Sequence, residues 1–186
     1  MQNRYSIVIS PPDTIIALVK SMKEQLAEEI GWFHSKNSLA HITINEFMAT
    51  DTEIEDIKRQ LTVICDTLEP IAVHFDSFDT YPNGAFFIAP DEASKTGLKK
   101  VIKQIHQSLL VPTLFKNSEP HMSIARQLKP KGISSAYRLF IYTDLNFVCD
   151  SVSLRRFNPT LKQFEITDRF EFGNNPDSFL GQGKLF

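Results

Sequence analysis

The chain has 186 residues, 42% hydrophobic and 23% charged, with a formal charge of −2 when its five histidines are neutral. That is enough apolar chain for one substantial core, or two small lobes sharing one, and it argues against a disordered chain. The missing basic excess argues against long nucleic acid as a partner, and the absence of an apolar run of about 18 residues argues against a membrane span.

Tyr5–Ser10 reads as a short buried strand, broken by Pro11 and Pro12. A helix follows, with Ile15, Ile16, Val19, Met22 and Leu26 on one stripe, Lys20, Lys23, Glu24 and Glu28 between them, and Gly31 as its stop. A strand is expected around Ala40–Met48. Thr52 and Glu55 match a capping box for a helix striped by Ile54, Ile57, Leu61, Ile64 and Leu68. Strands at Ile71–Thr80 and Ala85–Ala89 flank Tyr81-Pro82-Asn83-Gly84, where Asn-Gly signals a hairpin. Pro90 and Asp91 open a helix carrying Leu98, Val101, Ile102, Ile105 and Leu109. His121–Leu128 reads as a strand and Ser134–Tyr142 as a short helix. Phe147–Asn158 and Gln163–Gly173 read as a closing pair of strands around Pro159, and residues 174–186 as a loosely packed tail. Cys65 and Cys149 each follow apolar residues, so both are expected as buried, reduced thiols. The N-terminus lacks the apolar stretch of a signal peptide. A cytoplasmic protein with no obligate protein partner is therefore expected.

One segment repeats. Lys36-Asn37-Ser38-Leu39-Ala40-His41-Ile42-Thr43-Ile44 returns 80 residues later as Lys116-Asn117-Ser118-Glu119-Pro120-His121-Met122-Ser123-Ile124, with five of nine positions identical. Each copy follows a short strand, a proline and an amphipathic helix. The offset is too long for a solenoid. It suggests two similar lobes, strand–helix–strand each, facing one another across an approximate two-fold axis.

Side chains alternate along a strand, so His41 and Thr43 share one face, as do His121 and Ser123, while Ile42, Ile44, Met122 and Ile124 take the other. Two imidazoles in one cleft can remove a proton from an attacking oxygen and deliver another to a leaving oxygen. The Thr43 and Ser123 hydroxyls would donate hydrogen bonds to a phosphate held between them. Such a pair needs neither metal nor cofactor, and no Cys, carboxylate or third His stands at metal-ligand spacing.

At these residues the chain resembles the 2H phosphoesterase superfamily, which includes bacterial 2'-5' RNA ligases (cyclic phosphodiesterases) and is defined by two His-x-Thr/Ser-x motifs at about this separation. The likeness runs from the first strand to about Asp168. Phe47 is similar to an aromatic found after the first motif in many relatives, and Arg126 to a frequent basic residue after the second. The resemblance implies a single bilobed α+β domain of two antiparallel sheets with flanking helices around a central cleft. It also implies hydrolysis of 2',3'-cyclic phosphates to 2'-phosphates, or reversible 2'-5' joining of RNA ends. The expected ligand is a small cyclic nucleotide phosphate or a short RNA end. The alternatives are a non-catalytic module that binds a nucleotide or RNA end, and a phosphodiesterase on a non-RNA small substrate such as a cyclic phosphate of ADP-ribose. Ala40 departs from the proline that Pro120 keeps.

Within the cleft, Phe47 shares the parity of His41 and is the leading base-stacking candidate, with Tyr81 in the hairpin turn as a second. Arg126 has the parity of Ile124, so only a bulge would bring it round to the phosphate. His34, His74 and His106 read as surface or satisfied structural histidines. Arg155-Arg156 reads as a solvated pair that could also help bind phosphate. Gly181-Gln182-Gly183-Lys184 lacks the spacing and the hydroxyl residue of a phosphate loop.

Overall fold

A computed structural model describes residues 1–176. Asn3–Ile9 forms β1, its residues buried from Tyr5 onward, and the proline pair Pro11-Pro12 separates it from α1 (Asp13–Ile30). The α1 stripe Ile15, Val19, Met22 and Leu26 is buried as expected, and the helix ends at Gly31 with φ +79°. Lys23, expected among the polar residues, lies on the buried face instead, 1% exposed. Next come β2 (Ile42–Ala49) and α2 (Asp51–Asp66). The capping box of α2 is Thr50 with Glu53, not Thr52 with Glu55. Both pairs have the required spacing, but β2 runs to Ala49, so the helix begins at the first of them.

The second half contains β3 (Ile71–Thr80), β4 (Phe86–Pro90), α3 (Glu92–Ser108), β5 (Thr113–Lys116), β6 (Met122–Ala125) and α4 (Pro130–Leu139). Asp91 caps α3 by accepting from the Ser94 amide at 2.7 Å. The β3–β4 hairpin closes at Gly84, whose φ is +81° and whose missing Cβ would lie 2.3 Å from the Leu128 carbonyl oxygen. The last elements of the described residues are β7 (Leu145–Cys149), β8 (Ser151–Asn158) and β9 (Gln163–Glu171). The single strand expected over Phe147–Asn158 is thus two strands parted at Asp150, and they belong to different sheets.

Both sheets are antiparallel, with strand orders β5-β2-β1-β8-β9 and β6-β4-β3-β7. The α+β architecture of two antiparallel sheets with flanking helices is therefore present. α1 connects the paired strands β1 and β2, as α3 leads from β4 toward its partner β6. α3 packs on β3, α2 on β9, and α1 against α4 and β6. Cys65 and Cys149 are free and buried, and burial pushes both thiols up to about 12. The amides of Gly173, Asn174 and Asn175 donate to the carbonyls of Cys65, Leu68 and Asp66. Residues 177–186 of the expected tail, Gly181–Lys184 among them, lie outside the described residues. Among the described residues, no helix is long and apolar enough to cross a membrane.

The two motif strands share a device. Along β2, Ile7 pairs with Asn45 and Val8 with Thr43, leaving Ile44 as the extra residue of a bulge. Along β6, Phe86 pairs with Ala125 and Phe87 with Ser123, leaving Ile124 in the same role. Residues 41–45 and 121–125 accordingly show one burial pattern: half-buried, buried, half-buried, buried, buried. A bulge resets strand parity by one residue.

Candidate active site

His41 and His121 stand immediately before β2 and β6 rather than within them. Each ring is pinned in the same way. His41 Nδ1 donates to the Leu39 carbonyl at 2.6 Å, and His121 Nδ1 donates to the Glu119 carbonyl at 2.8 Å. A carbonyl only accepts, so Nδ1 carries the proton in both rings and each neutral imidazole presents Nε2 as a lone pair.

His41, Thr43, Ser123, Arg126 and Arg155 line one cavity of about 450 Å³, so residues from both copies of the repeat meet there. His121 is not in the wall of that cavity. Its half-buried ring packs on Phe87 at 4.8 Å and edge-on to Tyr81 at 5.5 Å. Tyr81 is thus half-buried against the second imidazole.

The bulges decide the next side chains. Five residues after each histidine, Glu46 and Arg126 return to the cavity. Arg126 is brought round to the cavity wall by the Ile124 bulge, the irregularity without which its strand parity would turn it away. The Ile44 bulge has the opposite consequence for Phe47, which is turned into the core at 0% exposure and stacks on Tyr5 with ring centroids 5.8 Å apart. Phe47 therefore cannot stack a base; the parity that singled it out holds only for a regular strand. Glu46 takes its place on the cavity side and is ion-paired with Arg4.

Arg155 and Arg156 prove to be unlike neighbours. Arg156 is exposed and donates to Asn3 Oδ1 at 2.9 Å. Arg155 is 7% exposed, donates through Nη2 to Ser6 Oγ at 3.1 Å, and lies over the Phe164 ring at 5.0 Å. Its Nε, though buried, has no hydrogen-bond partner. A buried cation with a spare donor in a cavity wall is prepared for an anion. Strand alternation between two adjacent arginines was the available signal, but not which of the two would point inward.

Lys23 and Asn117 support the site from behind. Lys23 Nζ donates to the Ser35 carbonyl at 3.1 Å, the Ser38 carbonyl at 2.7 Å and Ser38 Oγ at 3.2 Å, fixing the loop before His41. Burial, with Arg126 nearby, lowers its pKa to about 8. Asn117 Nδ2 donates to the Thr43 carbonyl at 3.1 Å and to the Glu119 carbonyl at 3.0 Å, the same oxygen that holds His121. The two loops are also cross-braced. The Asn117 amide donates to the Ile44 carbonyl at 2.9 Å, and Ser35 Oγ donates to the Ile124 carbonyl at 3.1 Å. Each bulge is therefore held by the loop that precedes the other motif. His106 Nε2 also bonds the Ile44 carbonyl at 3.1 Å, and His74 meets Asp144 at 2.9 Å, so both are satisfied structural histidines.

The electrostatics differ between the two rings. His41 is pushed down to about 3, first by burial and then by the charge of Arg155, with Lys23 and Arg126 adding to it. Burial also lowers His121, but its bond to the Glu119 carbonyl and the Glu119 carboxylate oppose this. Among the described residues, no group of three or more His, Cys, Asp or Glu is arranged to hold a metal ion.

The family model of the 2'-5' RNA ligase superfamily matches residues 11–160. No curated protein matches the chain in sequence. Among solved structures, TT0787 of Thermus thermophilus is similar with TM-score 0.62 at 14% identity, over 92% of this chain and 99% of that one. Escherichia coli LigT, in complex with 3'-AMP, gives 0.63 at 10% identity over 92% and 99%. Kluyveromyces marxianus Usb1 gives 0.53 at 15% identity over 82% and 93%. At these identities the likeness is one of fold.

Proposed function

The chain belongs to the 2'-5' RNA ligase superfamily, and from that premise we propose that it is a metal-independent phosphodiesterase that opens 2',3'-cyclic phosphates to 2'-phosphates, with reversible 2'-5' joining of RNA ends as the same chemistry run with another nucleophile. Membership supports phosphoesterase-type activity in general. The observation that carries the specific reading is the matched pinning of the two imidazoles, each with Nδ1 held by a carbonyl and Nε2 left to move a proton.

In this reading His41, neutral because burial and nearby cations disfavour its charge, takes a proton from water as the water oxygen attacks phosphorus. His121, in its cationic form, gives its Nε2 proton to the 3'-oxygen as the P–O3' bond breaks. The product carries a 2'-phosphate and a free 3'-hydroxyl. Thr43 and Ser123 donate to the non-bridging oxygens, and the Arg126 and Arg155 guanidinium groups balance their charge. Tyr81 braces the His121 ring rather than stacking a base. The substrate is a small cyclic nucleotide phosphate or a short RNA end, and LigT in complex with 3'-AMP is a relative whose fold accepts a nucleotide.

The test is hydrolysis of the four nucleoside 2',3'-cyclic monophosphates in EDTA by wild type, His41→Ala and His121→Ala. Turnover by wild type and a loss of at least about a hundredfold in each variant is the expected outcome. Activity abolished by EDTA and restored by zinc would overturn the metal-free mechanism. Nucleotide binding without turnover would replace the enzyme with a binding module.

A further inference from the structure

The cavity does not end at Arg126. On its far side a second groove of about 670 Å³ begins, and Arg126 is common to both. Trp32, His34, Lys129 and Lys131 line this groove. Trp32 is 68% exposed, an unusual setting for so large an apolar surface, and its ring stands edge-on to His34 with centroids 4.8 Å apart. Its support is firm on both sides. The Gly31 amide closes α1 on the Ala27 carbonyl at 2.9 Å, Phe33 is buried, and the His34 carbonyl accepts from the Arg126 amide at 3.1 Å.

The charge around Trp32 is lopsided. Glu29, the acidic residue of the groove, is ion-paired with Arg138. Among the described residues, Arg126, Lys129 and Lys131 form no ion pair. The protein's overall charge of −2 hides this local surplus. A rigidly mounted, exposed aromatic face beside free cations is the chemistry that holds single-stranded nucleic acid, with a base stacked on the ring and phosphates against the charges.

We propose that this groove binds the nucleotides next to the reactive phosphate of a single-stranded RNA, one base stacking on Trp32 and the chain phosphates lying along Arg126, Lys129 and Lys131. The inference rests on the phosphodiesterase reading of the adjoining cavity and narrows its substrate to an oligonucleotide end. A 2',3'-cyclic phosphate terminates a chain at its 3' end, so the groove takes the nucleotides on the 5' side.

Trp32 is the chain's single tryptophan, so its fluorescence reports this groove directly. The first experiment titrates the protein with tetrauridylate ending in a 2'-phosphate and with uridine 2'-monophosphate. Saturable quenching by the tetramer, weakened by salt, and none by the mononucleotide is expected. The second compares kcat/KM for the two corresponding 2',3'-cyclic phosphates. The tetramer should be favoured by about tenfold or more, Trp32→Ala should bring the two within about twofold, and Trp32→Phe should restore the preference. Equal kcat/KM with no quenching by the tetramer would overturn the inference and leave the proposed reaction standing. Quenching by an acidic peptide of equal charge, as strong as that by RNA, would also overturn it. If neither substrate turns over, the proposed reaction fails, and the fluorescence titration alone decides for or against the groove.

Discussion

His41 and His121 hold the same place in two copies of one motif, yet their neighbours have made them different. Burial with Arg155, Lys23 and Arg126 holds His41 neutral down to about pH 3, whereas Glu119 works to keep a proton on His121. The kcat/KM bell for a cyclic mononucleotide should therefore lie on the acid side of the ordinary histidine range, because that ratio reports the free enzyme. Arg155→Met should move its acid limb upward, by removing a charge that disfavours protonated His41. Glu119→Gln should move its alkaline limb downward, by removing a charge that favours protonated His121. A stability effect follows from the same residue. Unfolded His41 binds a proton near its ordinary pKa of 6.5, and folded His41 does so only near 3. The unfolded state thus holds more protons across that window, so stability is fully present above about 6.5 and falls with pH below it. Thermal melts from pH 7.5 to 4 should show this decline, and His41→Gln should flatten it; equal slopes would show that His41 does not control it.

The motif strands do their positioning through irregularity. Asn117 joins both of them, bonding the Thr43 carbonyl of one and the Glu119 carbonyl behind the other imidazole. Asn117→Ala should lower kcat by roughly ten- to hundredfold through misplacement of His121, with a smaller change in KM; an unchanged kcat would remove it from the positioning role. The bulges also explain which parts of the site could be foreseen. His41, Thr43, His121 and Ser123 precede the extra residue, where alternation still holds, and the apolar partners Ile42, Ile44, Met122 and Ile124 are buried as alternation requires. Phe47 follows it, and an inserted residue leaves no mark in a hydrophobic pattern that remains Ile-x-Ile on one side and Phe-x-Ala on the other. The helices are legible because their stripes are long. β5 is not, since its four residues are mostly exposed and carry no alternation. The parting of β7 from β8 is hidden because Cys149, Asp150 and Ser151 include neither glycine nor proline to mark a break. Lys23 and Arg155 read as solvated because charge is the usual sign of a surface; their burial is tolerated through three acceptors for Lys23, and through Ser6 and the Phe164 face for Arg155.

Across the whole molecule, the β7–β8 crossing at Asp150 and the cross-braced loops bind the two sheets together. Such a chain should unfold in one step, with Trp32 fluorescence and backbone circular dichroism tracing the same transition; two separated midpoints would show that the halves melt independently. The amides of Asn117 and Arg126, bonded to Ile44 and His34, should exchange with solvent no faster than the global opening rate allows. The bracing also governs how the protein can change over time. Because Ser35 holds Ile124 while Asn117 holds Ile44, a replacement in either loop is felt at the opposite histidine. Ser35→Ala and Asn117→Ala should therefore give a combined loss of activity that departs from the product of the two single losses. Each copy of the repeat is thus held in shape by the loop of the other, and a change tolerated in one has to be tolerated by both.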